Sequence, residues 1–239
     1  MGITEHLFFD GVDLADFGAL LLVGNVFASA ARKYDTIEVP GRSCSLIIAQ
    51  GGYQNVTRTY DVFFHGETAR ENSARLRTFL NSRTGYKRIE DTLYPGEFVL
   101  GCFQGGLDSA YTNNIKYVRY VLSFNCKPQR FLKSGEQARA FAADGIIVNP
   151  EDTEALPLIC VMGNGTVTVN GKAVTVTGNA DSFTVIDSEI QDAYRHSENR
   201  NAYITLEDGE FPVLKPGENL ISLGAGIACV EIRPRWWRL

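Results

Sequence analysis

The chain has 239 residues, of which 44% are hydrophobic and 21% charged, and it carries a net charge of −5. That length supplies one large or two ordinary domains with apolar cores. An acidic balance argues against non-specific binding to nucleic acid or to an anionic membrane, since both need clustered Lys and Arg.

Charge is unevenly spread along the sequence. Residues up to Arg130 hold 14 basic and 13 acidic groups, and those beyond it hold 9 and 15. The 23 glycines against two methionines, with recurring Val, Ile, Thr, Tyr and Phe clusters, favour strands joined by turns.

Leu7–Phe9 reads as a short strand entering the turn Asp10-Gly11-Val12-Asp13, and an apolar segment containing Gly18 and Gly24 runs from Phe17 to Phe27. The run Ala19–Val23 is far too short to span a bilayer, and no secretory pattern is read before it. Tyr34–Val39 alternates and stops at Pro40-Gly41-Arg42, where proline fixes φ and glycine permits the turn. Strands are expected at Cys44–Ala49 and Thr59–Phe64, with a loop over 50–55 between them. Ala69, Leu76, Phe79 and Leu80 recur on one helical face, which predicts one amphipathic helix over Thr68–Ser82, ended by Gly85. Beyond Arg88–Tyr94 come a strand at Glu97–Phe103, a loop over 104–114 and a long strand at Ile115–Asn125. The charge step, Pro128 and Gly135 place a domain junction within Cys126–Glu136.

The second half reads as β throughout. Asn149-Pro150-Glu151-Asp152 forms an acidic turn, Leu156–Val161 a buried strand, and Gly163-Asn164-Gly165 a further turn. Val167 and Val169, then Val174 and Val176, alternate with polar residues across Asn170-Gly171, a hairpin signature. Phe183–Ile186, Ala202–Leu206, Asn219–Leu223 and Ile227–Ile232 complete a series spaced as a sandwich requires.

Chemistry-bearing patterns are sparse. Five cysteines at 44, 102, 126, 160 and 229 are odd in number and lack metal-ligand spacing, so neither a disulfide framework nor a zinc site is read, and folding in a reducing compartment is the simpler inference. His6, His65 and His196 sit in no catalytic pattern. Gly163-Asn164-Gly165 completes neither dinucleotide nor Walker motif. Asp187/Glu189 and Glu207/Asp208 read as solvated loop carboxylates rather than a glycosidase pair. No catalytic, cofactor-binding or metal-binding residue is assigned. The terminal Glu231–Leu239 gathers both tryptophans beside three arginines; Ile232, Pro234 and Trp236 alternate with Arg233, Arg235 and Trp237, as in a docked strand with its arginines facing solvent or a neighbouring domain. A sugar platform built on Trp236, Trp237, Tyr194 or Tyr203 is the competing reading, and a glycan-cleaving enzyme the third.

Several segments together resemble the distal tail protein family of siphophages that infect Gram-positive bacteria. They are Phe9–Gly18, the Ile37–Arg42 turn, Phe124–Glu136, Asn149 with Leu156-Pro157-Leu158 and Gly163-Asn164-Gly165, Val185–Glu189, Gly209–Asn219 and the final Pro-Arg-Trp-Trp. The resemblance implies a mainly β chain with one helix: an α+β N-terminal domain over 1–133 that closes a hexameric ring, and a galectin-like β-sandwich over 134–239. It implies a non-enzymatic structural role in the virion, joining the tail tube protein to the tail-tip or baseplate protein after synthesis in the bacterial host cytoplasm. The partners it implies are further copies of the chain and those tail proteins. DNA would pass through the ring without specific nucleic-acid binding, and no membrane or cofactor is implied.

Overall fold

A computed structural model describes residues 5–22, 29–105, 110–111, 117–179 and 182–239. It is mostly β with one α-helix, and it divides into two compact units, the first ending at Arg130 and the second spanning Phe131–Arg238. In chain order the first unit holds β1 (Leu7–Phe9), β2 (Val12–Asp13), β3 (Leu20–Leu22), β4 (Arg32–Ile37), β5 (Leu46–Tyr53), β6 (Val56–His65), helix α1 (Ala69–Asn81), β7 (Lys87–Asp91), β8 (Glu97–Phe103), β9 (Ala110–Tyr111) and most of β10 (Tyr117–Leu132).

Its main sheet runs β2-β1-β7-β8-β10-β6-β3, with β9 also on β10. Alternation decides the two faces. Tyr60, Val62 and Phe64 of β6 and Val118, Tyr120, Leu122 and Phe124 of β10 point inward and are buried. The helix lays Ala69, Leu76 and Leu80 on that core, and Phe9 meets Phe79 edge-on with ring centroids 6.2 Å apart. The helix thus falls where the 3.6-residue period places it. Its C-terminus is closed by the Ser82 amide bonding back to Thr78 and Phe79 carbonyls, three residues before Gly85 takes its positive φ of 73°.

Two sequence expectations fail here. The strand expected to end at Asn125 does not stop there: β10 continues through Pro128 to Leu132, while the boundary between the two units, after Arg130, falls inside Cys126–Glu136. Pro128 lies beyond Cys126, the last residue that pairs with β6, so its missing N–H costs that ladder nothing. The loop expected over 50–55 is strand as far as Tyr53, with Gly51 and Gly52 at positive φ inside it. The end of the Phe17–Phe27 segment and most of the 104–114 loop lie outside the described residues.

The second unit is a β-sandwich. Its strands are β11 (Arg139–Phe141), β12 (Gly145–Asn149), β13 (Leu158–Gly163), β14 (Gly165–Val169), β15 (Lys172–Val176), β16 (Phe183–Asp187), β17 (Asp192–Arg195), β18 (Glu198–Asn199), β19 (Ile204–Leu206), β20 (Gly217–Leu223), β21 (Ile227–Arg233) and β22 (Trp237–Arg238). One sheet runs β11-β21-β13-β16-β17-β18 and the other β12-β20-β14-β15-β19. Ile159, Val161, Ile186, Val230 and Ile232 of the first, with Ile147, Val167, Val169, Val174, Val176 and Ile221 of the second, form a single core completed by Trp236. The Asn170-Gly171 turn joins β14 to β15 with φ of 53° and 83°, the pair of positive values that a two-residue hairpin of this hand requires.

Candidate assembly interface

In the first unit, one element lies outside the rule that buries apolar side chains. Among the described residues, strands β4 and β5 pair only with each other, as a two-stranded ribbon whose residues are exposed almost throughout. Pairing Tyr34↔Ala49, Asp35↔Ile48, Thr36↔Ile47 and Ile37↔Leu46 assigns the faces. Tyr34, Thr36, Ile47 and Ala49 share one side; Asp35, Ile37, Leu46, Ile48 and Gln50 share the other, where Gln50 Nε2 donates to Asp35 Oδ2 at 2.6 Å. Ile47 is 68% exposed, Tyr34 57%, Leu46 50% and Ile37 47%. Two strands alone are marginal in water. Three successive apolar residues, Leu46-Ile47-Ile48, put hydrocarbon on both faces, the composition of a strand covered on both sides. That run is a sequence signal that the strand reading of Cys44–Ala49 passes over.

A second uncovered surface lies on the outward side of β3, β6 and β10. The register sets Leu20, Phe63 and Arg119 in one row and Leu22, Asp61 and Val121 in the next, with Tyr117 opposite His65. Phe63 stacks on both Tyr117 and His65, and Arg119 pairs with Asp61 at 2.7 Å. Val121 and Tyr117 are half exposed. The unit therefore presents an apolar ribbon and, separately, an apolar sheet face of different shape.

Residues considered for chemistry have ordinary partners. His6 Nδ1 lies 2.6 Å from Asp13 Oδ2, His65 stacks on Phe63, and His196 meets Phe183 edge-on. Among the described residues no group of three His, Cys, Asp or Glu side chains is placed to hold a metal, and no helix is long and apolar enough to cross a membrane. Burial pushes the Cys126 thiol up to about 11, so it is held as the neutral thiol. Gly163-Asn164-Gly165 is a tight corner between β13 and β14: a Cβ on Gly163 would stand 2.3 Å from the Gly226 carbonyl oxygen.

The reading of Asp187 as a solvated loop carboxylate is corrected. Asp187 ends β16, is 5% exposed, and accepts two hydrogen bonds from Arg235, at 2.6 and 2.9 Å. Burial alone would raise its pKa, but the Arg235 guanidinium and nearby backbone amides outweigh burial and hold it below the usual carboxylate range. Arg235, expected at an edge facing solvent or a neighbouring domain, is thereby drawn onto Asp187 of its own unit at a φ of 60°. Sequence spacing could not reveal a pair separated by 48 positions.

The terminal tryptophans are held too. Trp236 is 1% exposed, and its carbonyl accepts from the Leu132 amide at 2.8 Å. Trp237 Nε1 donates to the Glu154 carbonyl, and Arg238 pairs with Glu151. Tyr203 stacks against the Arg200 guanidinium at 3.7 Å. Trp236 is therefore a core residue, while the Trp237 indole is partly exposed and held at its Nε1 edge.

Comparison with solved structures matches the whole chain. The Dit (gp 19.1) protein of phage SPP1, described as a paradigm of the hub adsorption apparatus in phages infecting Gram-positive hosts, superposes with a TM-score of 0.72 at 13% identity, covering 98% of this chain and 99% of that one. The fold is that of Dit. Two structures of the phage P2 baseplate in its activated conformation, with Ca and with Sr, match with TM-scores of 0.53 and 0.51, each at 9% identity over 97% of this chain and 98% of theirs. No protein-family model matches the sequence, and no curated protein matches it. The Dit-like fold, mainly β with one α-helix among the described residues, is the architecture the sequence resemblance implied.

Proposed function

We propose that this chain is a structural component of a phage tail, a distal tail hub protein that assembles head-to-tail into a closed hexameric ring. The observation that carries the reading is the β4–β5 ribbon, which exposes apolar side chains on both faces among the described residues of its unit. Covering an Ile or Leu side chain is worth about 1.5–3 kcal/mol, so the four on the ribbon, Ile37, Leu46, Ile47 and Ile48, supply a strong drive to association. A ring needs two unlike patches on each copy, because identical patches would close a dimer. The ribbon and the outward face of β3, β6 and β10 are such a pair. Whole-chain likeness in fold to a phage hub protein supports the same reading.

On this proposal the first unit, with its junction to the second near residue 133, builds the ring and the β-sandwich unit serves outside it. The ring joins the tube to the tail-tip proteins in the virion and acts without catalysis.

Light scattering with negative-stain microscopy tests this. Wild-type protein is expected to form rings of six, either alone or on mixing with tail proteins, and Ile47→Asp, a change at an exposed site, is expected to leave monomers with an unaltered melting curve. A wild-type chain that stays monomeric with and without those proteins, or an Ile47→Asp chain that still forms rings, contradicts the proposal.

A further inference from the structure

The β-sandwich has four edge strands, and three of them are small. β11 has three residues and begins with Arg139, β18 has two, Glu198 and Asn199, and β19 has three. The fourth, β12, is Gly145-Ile146-Ile147-Val148-Asn149; it has five residues and pairs on one side with β20 in unbroken register. It contains no charge, no proline and no bulge, the devices by which sheet edges are usually protected against pairing with another chain.

The side chains beside this edge are apolar and uncovered. Ile147 points into the core and is fully buried, so Ile146 and Val148 point outward, each about half exposed. Leu220, paired with Ile146 on the same face, is 61% exposed and joins them into one patch. The segments flanking it expose Asp144, Asp152 and Glu218 against Lys215. Glu151 is occupied by Arg238. The rim is therefore acidic. Two copies meeting edge to edge through β12 would bring these carboxylates together, which disfavours the chain itself as occupant.

We propose that β12 receives an extended segment of a different protein, one that alternates apolar with polar residues and carries Lys or Arg beside them, and that this segment adds a sixth strand to the β12-β20-β14-β15-β19 sheet. Main-chain hydrogen bonds along the open edge would supply affinity, Ile146, Val148 and Leu220 would select its apolar positions, and the carboxylate rim would select its charge. This surface lies in the second unit, and none of its residues belongs to the ribbon or the sheet face proposed to build the ring.

The test titrates the full chain into a fluorescein-labelled peptide of about ten residues, alternating Val and Thr with lysines at both ends, and follows anisotropy. Saturable binding is expected, weaker by about tenfold or more for the same peptide with glutamates in place of lysines, and abolished when alternate peptide nitrogens are N-methylated so that no strand pairing is possible. Ile146→Lys together with Val148→Lys is expected to weaken binding of the lysine peptide to a similar degree without shifting the melting curve. Equal binding of lysine and glutamate peptides, undiminished binding of the N-methylated peptide, or no binding at all overturns the proposal. So does self-association of the wild-type chain that the double variant removes, since the occupant is then a second copy.

Discussion

Two residues near the C-terminus fix how the second unit closes. Trp236 fills the sandwich core at 1% exposure, and a Cβ on Gly135 would stand 2.3 Å from its backbone nitrogen, so the 133–136 turn and the terminal segment are packed backbone to backbone. Trp236→Ala is expected to destabilise the protein by about 3–5 kcal/mol, read as a lowered midpoint in denaturant titration. Asp187 anchors the same segment through Arg235. Its folded pKa is depressed, so the stabilisation is fully present above the ordinary carboxylate value of about 4 and fades as pH falls through the lower, folded value. Asp187→Asn should therefore cost about 1.5–3 kcal/mol at neutral pH, and the gap between wild type and variant should narrow as the solution is taken below about pH 4. A gap independent of pH would remove the charge from the explanation.

Elements differ in how far they announce themselves in sequence. Helix α1 and the Asn170-Gly171 hairpin are legible because their causes are local: a 3.6-residue apolar period, and two adjacent residues that tolerate positive φ. The burial of Asp187 is not legible, since it is decided by a residue 48 positions along the chain, and the run of β10 through Pro128 is not, since a proline reads locally as the end of a strand. The ribbon stands between these cases: its strands are visible, but that they lack a core of their own emerges only once every other strand has found its place. Glycines make the same distinction measurable. Gly171 has open space where a Cβ would go, whereas Gly163 would drive one into the Gly226 carbonyl. Gly171→Ala is expected to cost only the left-handed strain of about 1–2 kcal/mol, and Gly163→Ala clearly more, by thermal or denaturant unfolding of the two variants side by side; equal losses would count against the tight corner.

For the whole molecule, each unit has its own apolar core, and each leaves apolar surface that its own core does not use: the ribbon and the outward face of β3, β6 and β10 in the first, the β12 edge in the second. The ribbon of the first unit is apolar on both sides, which suits an element enclosed by neighbours, while the β12 edge of the second is apolar with an acidic rim, which suits a chosen partner. On this account the first surface builds the assembly and the second recruits to it. Such a ribbon is covered by another copy of the chain in the assembly. The measurement to make is amide hydrogen exchange over residues 32–53, on the assembled ring and on the dissociated chain. Slow exchange in the ring and fast exchange in the dissociated chain is the predicted result; equally fast exchange in both would contradict it.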